Sequence, residues 1–198
     1  MTGRLSPRLA PFRGAPRLGG LLLACLAGCS HASRVRPDAT TVIYVAQVPH
    51  FALPSHESGA AVLASVLAYY GVTRNPTMIL EDLPRTISGG VLALDIALYP
   101  RRFGLDTAFG RGDLDAMEAQ LSASHPVIVM LDDGSSARYA LVVGLDRTHD
   151  VIVINTAEHS NVVVRLSEFR RAWSRAGHWM TAVARKGRRS RTVPVQSA

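Results

Sequence analysis

The segment that decides the fold reads Ser58-Gly-Ala-Ala-Val-Leu-Ala-Ser-Val-Leu-Ala-Tyr-Tyr-Gly71. Its large apolar residues recur on one face at helical spacing, and Gly71 follows where a helix-ending glycine is favoured. The pattern predicts a helix from Ser58 to Tyr70. Ser58 itself is a residue type that often caps a helix N-terminus. This is the strongest helix signal in the chain.

The chain then changes from helical to strand-like patterns. Turn and cap residues favour three further helices, at residues 75–83, 91–103 and 113–123. Apolar, β-branched runs predict strands at residues 127–131, 139–145, 151–154, 162–166 and 179–184, with a short helix at 167–173 and a weak strand at 41–48. This order predicts an α+β fold in which N-terminal helices pack on a mostly antiparallel C-terminal sheet.

Composition and charge exclude several classes of protein. The 198 residues are 47% hydrophobic and 19% charged, which excludes a disordered chain, a collagen-like chain and a long coiled coil. The net charge of +7 is concentrated at the ends. Apart from four Arg before position 18 and five basic residues at 185–191, 13 of the 22 basic residues remain, against 15 acidic ones. Nucleic-acid binding is therefore not expected.

The N-terminus has the pattern of an export signal. Four Arg and no acidic residue precede a short apolar run at residues 18–26, and Leu26-Ala27-Gly28-Cys29 resembles the bacterial lipobox. We expect a signal peptide at 1–28, a lipid on Cys29, a tether at 29–41, a domain at 42–185 and a flexible basic tail at 186–198. The lipid would hold the protein on the periplasmic face of the bacterial cell envelope, and Ser30 favours the outer membrane. An ordinary signal peptide is the alternative.

The cysteine count limits the chemistry. Cys25 would leave with the signal and Cys29 would carry lipid, so the mature domain would have no thiol for a disulfide, a metal site or a nucleophile. No cofactor or metal is expected, because His50, His56 and Glu57 lack a further ligand nearby. Gly110-Arg111-Gly112 lacks the strand and helix context of a phosphate loop and is predicted to be a turn. Trp173 and Trp179 are predicted to pack in the core.

Several segments, in order, resemble the thirty-ninth family of cysteine peptidases, the papain-like double-glycine leader peptidases. In that family a Gln precedes Cys-Gly-Pro-Ala, and a Leu-rich helix then ends in Tyr-Tyr-Gly. Residues 48–71 resemble this stretch, with Ser-Gly-Ala-Ala at 58–61 and Tyr-Tyr-Gly at 69–71. The other matching segments lie at residues 90–105, 125–129, 138–144, 151–157 and 166–173. The resemblance covers roughly residues 42–184 and implies a papain-like cysteine peptidase fold.

The catalytic positions of the family are all replaced. The Cys position is Ser58, the His position is Arg138, the Asp position is Thr156 or, with a one-residue shift, Asn155, and the Gln position is Leu53. Such catalysis needs a thiolate, a base, a group that orients the base and an oxyanion donor. Arg keeps its proton at physiological pH and cannot act as the base. The resemblance therefore implies a catalytically degenerate domain.

These residues suggest a pseudopeptidase. Its candidate peptide groove is formed by Leu53, Ser58, Gly59, Arg138 and Tyr139, and it would bind a peptide or an envelope protein without cutting it. Degenerate domains of this kind on secretion transporters hold their cargo, which implies an accessory role in export or envelope assembly. Two alternatives remain: an active hydrolase whose base lies elsewhere, and a non-catalytic envelope scaffold.

Overall fold

The computed structural model describes residues 43–84 and 91–187. The predicted signal peptide, Cys29, the tether and most of the basic tail lie outside the described residues. The predicted domain boundaries therefore stay predictions.

The described residues form five α-helices and two short 3-10 segments, and cap residues mark the start of two of the helices. The Asn75 side chain accepts a hydrogen bond from the Met78 amide at 2.9 Å, and the Asp113 side chain accepts one from the Ala116 amide at 2.7 Å. Both predicted caps are confirmed. The helices are α1 (Ser58–Tyr69), α2 (Pro76–Asp82), α3 (Ala93–Leu98), α4 (Leu114–Ser122) and α5 (Leu166–Arg175), and the 3-10 segments are Ser55–Glu57 and Tyr99–Phe103.

The helix predicted at residues 91–103 is interrupted. Its α-helical part is α3 alone, and the chain continues as the 3-10 segment Tyr99–Phe103. Pro100 has no amide hydrogen to donate to the preceding turn, so the α-helical hydrogen-bond pattern cannot continue through it. Gly104 then ends the segment with a left-handed φ of 75°.

The described strands form one seven-stranded antiparallel sheet. The strands are β1 (Ile43–Tyr44), β2 (Leu105–Arg111), β3 (Val127–Asp132), β4 (Ala137–Asp146), β5 (Val151–Asn155), β6 (Val162–Arg165) and β7 (Trp179–Arg185). Their order in the sheet is β2-β7-β3-β4-β5-β6, and β1 pairs with β4 at Ile43↔Leu145 and Tyr44↔Gly144.

The edge strand β2 is not evident in the sequence, and it corrects one prediction. Gly110 and Arg111 belong to β2 and pair with Met180 and Trp179 of β7, so they are not a turn. Gly112 and Asp113 then connect β2 to α4. Residues 110–112 therefore lie at the end of a strand and shortly before a helix, a context that the sequence pattern did not predict.

Helices cover both faces of the sheet. Leu141 and Val143 of β4 belong to a cluster with α1, α2 and α3, whereas the alternating Ala140 and Val142 belong to a cluster with α4 and α5. The predicted α+β fold with a mostly antiparallel sheet is confirmed, and helices also pack on the second face. None of the described helices is long and apolar enough to span a membrane.

Candidate functional site

Ser58 begins α1 and contacts the start of a strand 81 residues away. Its side chain is buried, with the residue only 5% exposed, and its Oγ accepts a hydrogen bond from the Tyr139 amide at 3.1 Å. The helix-capping interpretation of Ser58 is therefore wrong: Glu57 precedes the helix, without a capping side-chain bond, and the Ser58 hydroxyl is turned to β4 instead.

A cavity of about 430 Å³ opens beside Ser58. We call it the Ser58 pocket; its walls include Ser58, Gly59, Val91, Arg138 and Tyr139. A Cβ on Gly59 would lie 3.0 Å from Ile96 Cδ1 and 3.5 Å from Tyr139 Cδ2, so the tight packing of α1 against α3 and β4 favours glycine there. The structure thus brings together four of the five residues predicted to form the groove.

Leu53 is the exception, and its predicted place in the groove is corrected by the structure. It is half-buried, packs against the core cluster of α1–α3, and is not one of the residues that line the Ser58 pocket. Its amide donates a hydrogen bond to the Ala157 carbonyl at 2.9 Å, which anchors the segment before α1 to the end of β5. Its apolar side chain has no donor for an oxyanion.

Tyr139 is held as a neutral side chain. Its hydroxyl donates to the Val91 carbonyl at 2.9 Å, and its ring makes an edge contact with Trp179 at 5.8 Å between centroids. Burial, together with the negative charge of Asp95, raises the pKa of Tyr139 to about 12. Tyr139 therefore cannot serve as a base for Ser58 near neutral pH.

Arg138 supplies a positive charge at the pocket. Among residues 43–84 and 91–187, its only side-chain hydrogen bond is a long one, from Nη1 to the Ala137 carbonyl at 3.4 Å. Asp133 lies in the neighbouring hairpin turn, where hydrogen bonds from Ser135 and the Ser136 amide, with a smaller contribution from the Arg138 charge, lower the pKa of Asp133 to about 2. These bonds fix the hairpin that carries Ser135 and Ser136 to the pocket wall.

The two candidates for the orienting Asp have other roles. The Thr156 hydroxyl accepts the His159 amide at 3.0 Å, within a turn, while the Thr156 carbonyl contacts His50 Nε2 at 3.0 Å. Asn155 accepts the Asn161 amide at 2.8 Å, and its Nδ2 is buried without a hydrogen-bond partner among the described residues. Neither side chain is hydrogen-bonded to Arg138.

Among residues 43–84 and 91–187, no basic side chain is hydrogen-bonded to Ser58 Oγ. The Tyr139 amide is the one hydrogen-bond partner of Ser58 Oγ there, although His56 also lines the pocket. The nearest carboxylate to His56 is Glu57, at 3.9 Å. No cluster of three or more metal-binding side chains occurs among these residues.

Other pocket residues were not predicted from the sequence. Val91 and Met130 form apolar parts of the wall, while Ser55, Ser135 and Ser136 add hydroxyls. The Ser55 hydroxyl also donates to the Glu158 carboxylate, which ties the 3-10 segment to the loop after β5. These residues come from four separate parts of the chain, and only the Asp-Gly turn before Ser135 signals a nearby hairpin.

Replacing Ser58 tests whether its hydroxyl is structural. We expect Ser58→Ala to lower the free energy of unfolding by about 1–3 kcal/mol, because the buried Tyr139 amide would lose its acceptor. Equilibrium urea unfolding followed by circular dichroism would measure the change. Ser122→Ala, at an exposed serine of α4, is the matched control and should change stability by less than about 0.5 kcal/mol. Equal effects would contradict the structural role.

Solved structures of other proteins have a similar fold. A peptidase domain of Streptococcus ComA, a bifunctional transporter of a quorum-sensing pathway, aligns with a TM-score of 0.60 at 21% identity, covering 71% of this chain and all of that chain. A C39-like peptidase from Bacillus anthracis aligns with a TM-score of 0.62 at 14% identity, covering 73% of this chain and 98% of that chain. A double glycine motif protease from an AMS/PCAT transporter, solved in complex with the leader peptide, aligns with a TM-score of 0.59 at 22% identity, covering 72% of this chain and 95% of that chain. No curated protein sequence matches the chain.

The fold is that of papain-like cysteine peptidase domains. The model of the Peptidase C39 family matches residues 50–183. The chain belongs to this family, and the resemblance seen in the sequence is confirmed.

Proposed function

We propose that this C39 peptidase-like domain binds a peptide or a partner protein at the Ser58 pocket and does not cleave it. One observation carries the proposal: the Ser58 hydroxyl is buried and hydrogen-bonded to the Tyr139 amide, with no base bonded to it among the described residues. Serine needs a positioned base to become a nucleophile.

The pocket retains what peptide binding requires. Arg138 offers a charged donor, the serines of the β3–β4 hairpin offer hydroxyls, and Val91 with Met130 offers apolar surface. A double glycine motif protease of similar fold was solved in complex with its leader peptide. Loss of the catalytic side chains with retention of a pocket favours binding over chemistry.

The proposal includes a location. A lipid on Cys29 would anchor the domain at the periplasmic face of the outer membrane, where it would act as an accessory in export or envelope assembly. The lipobox-like sequence at residues 26–29 supports this part.

Blocking the pocket tests the proposal. Ala137 is exposed and lines the pocket, so Ala137→Trp should fill it without disturbing the buried contacts of Ser58. We expect the full-length wild-type chain to capture a peptide or protein from detergent-solubilised envelope, and we expect Ala137→Trp to lose it. Ser122→Trp adds the same indole at an exposed site on α4, outside the pocket, and should retain the capture. Circular dichroism verifies that both variants fold.

Two results would count against this function. An unchanged set of captured partners in folded Ala137→Trp would favour a scaffold that uses another surface. Labelling of wild-type Ser58 by a fluorophosphonate, lost in Ser58→Ala, would show an active serine nucleophile. Mass spectrometry of the captured partner should instead show it uncut.

A further inference from the structure

A second cavity lies on the other side of the sheet. It has a volume of about 910 Å³ and opens between α5 and the β2–α4 connection. The helices on this face of the sheet, opposite α1, are α4 and α5. Five guanidinium groups line it, contributed by Arg111, Arg147, Arg170, Arg171 and Arg175. We call it the arginine groove.

The walls of the groove are fixed to each other. The Gly112 amide donates to the His178 carbonyl at 3.0 Å, which joins the β2–α4 connection to the segment after α5. The His178 ring makes an edge contact with Trp173 at 5.1 Å between centroids, and the Trp173 indole donates to the Trp179 carbonyl at 2.9 Å. The charged side chains therefore project from a packed base.

Two of the five guanidinium groups already have partners. Arg147 contacts Asp115 at 2.5 Å and Glu118 at 2.6 Å. Arg175 Nε donates to the Asp132 carbonyl at 2.8 Å, which leaves its charge without a carboxylate.

Three guanidinium groups have no ion pair or hydrogen bond to any side chain or carbonyl among residues 43–84 and 91–187: those of Arg111, Arg170 and Arg171. Asp113, the remaining acidic residue of the lining, caps α4 through the Ala116 amide. The groove thus holds more positive charge than its own carboxylates neutralise.

Like charges lie close together on α5. Arg171 and Arg175 lie four residues apart and so share one face of the helix, where like charges destabilise each other. Arg111 faces them from the end of β2, on a different element. A bound anion would relieve the repulsion and bridge the two walls.

We propose that the arginine groove is a binding site for a phosphate group, held by Arg170 and Arg171 of α5 together with Arg111 of β2. Guanidinium groups match phosphate oxygens in a bidentate geometry. Three uncompensated cations around one concave site suit a compact anion with two or more charges better than a single carboxylate. The phosphate could belong to a free anion or to the headgroup of an anionic lipid. The site is separate from the Ser58 pocket and does not depend on the function proposed for it.

Two probes distinguish the sources. Isothermal titration of the full-length chain with inorganic pyrophosphate tests a free phosphate. Co-sedimentation with phosphatidylglycerol vesicles, compared with phosphatidylcholine vesicles, tests a lipid headgroup. Saturable binding of pyrophosphate, selective binding of phosphatidylglycerol, or both would support the site and identify the source.

The variants test the location. We expect Arg170→Ala/Arg171→Ala to weaken binding of the active probe at least about tenfold. Arg165→Ala/Lys186→Ala removes the same charge from exposed positions outside the groove and should change binding less than about twofold. Arg111→Ala, on the other wall, should also weaken binding. All four substituted arginines and Lys186 are exposed, and circular dichroism checks the fold.

Three outcomes would overturn the proposal. The wild-type chain could bind neither probe. The two double variants could bind equally, which would mean that net charge alone attracts the probe. A hexaglutamate peptide could bind as tightly as pyrophosphate with the same dependence on the variants, which would make the groove a site for an acidic peptide.

Discussion

Trp173→Ala should destabilise the domain by about 3–5 kcal/mol, the range for removing a large buried aromatic side chain. Trp173 is 1% exposed and lies in the core cluster of α4 and α5, where its ring packs against Phe169 at 5.5 Å between centroids. Its indole also donates to the Trp179 carbonyl at 2.9 Å, so the substitution removes a buried hydrogen bond as well as apolar surface.

Thermal unfolding followed by circular dichroism would measure this effect as a decrease of roughly 6–20 °C in the melting temperature. Trp173→Phe is the informative control, because it keeps an aromatic ring but lacks the indole donor, and it should cost less than the alanine substitution. A loss below about 1 kcal/mol for Trp173→Ala would contradict the burial of this side chain.

The sequence predicted the elements whose signals are local. The caps of α2 and α4 depend on hydrogen bonds that span three residues, from Asn75 to Met78 and from Asp113 to Ala116. Such bonds follow from residue type and spacing alone. The core position of Trp173 was predicted and is confirmed.

The strand β2 could not be predicted in the same way. Its sequence, Leu105-Asp-Thr-Ala-Phe-Gly-Arg111, has a weak strand propensity, with a glycine and a charged residue inside it. It is a strand because all seven of its residues pair with β7, about 75 residues later in the chain. Pairing over such a separation is a property of the tertiary fold.

The candidate site was likewise predictable only in part. The family resemblance placed Ser58 and Arg138 near one another, and both line the Ser58 pocket. It did not show that the Ser58 hydroxyl accepts the Tyr139 amide, because that bond depends on how α1 meets β4. It also placed Leu53 in the groove, whereas the half-buried side chain packs against the core cluster of α1–α3.

Gly112→Val should destabilise the domain by about 3 kcal/mol, near the upper end for adding atoms to a packed interior. A Cβ at position 112 would lie 2.0 Å from Met180 Sδ and 2.7 Å from Met180 Cγ. Gly112 is not in the left-handed region, so steric contact is the reason for glycine at this position. The Met180 thioether would have to move, although it is buried in the cluster of α4 and α5.

A double-mutant cycle separates this contact from a backbone effect. Met180→Ala alone should cost about 2–5 kcal/mol by leaving a cavity. Gly112→Val/Met180→Ala should cost less than the sum of the two single changes, by about 1–3 kcal/mol, because the valine would occupy space that the thioether has left. Urea unfolding of the four chains measures this coupling. Additive costs would mean that the clash with Met180 is not what requires glycine at the base of the arginine groove.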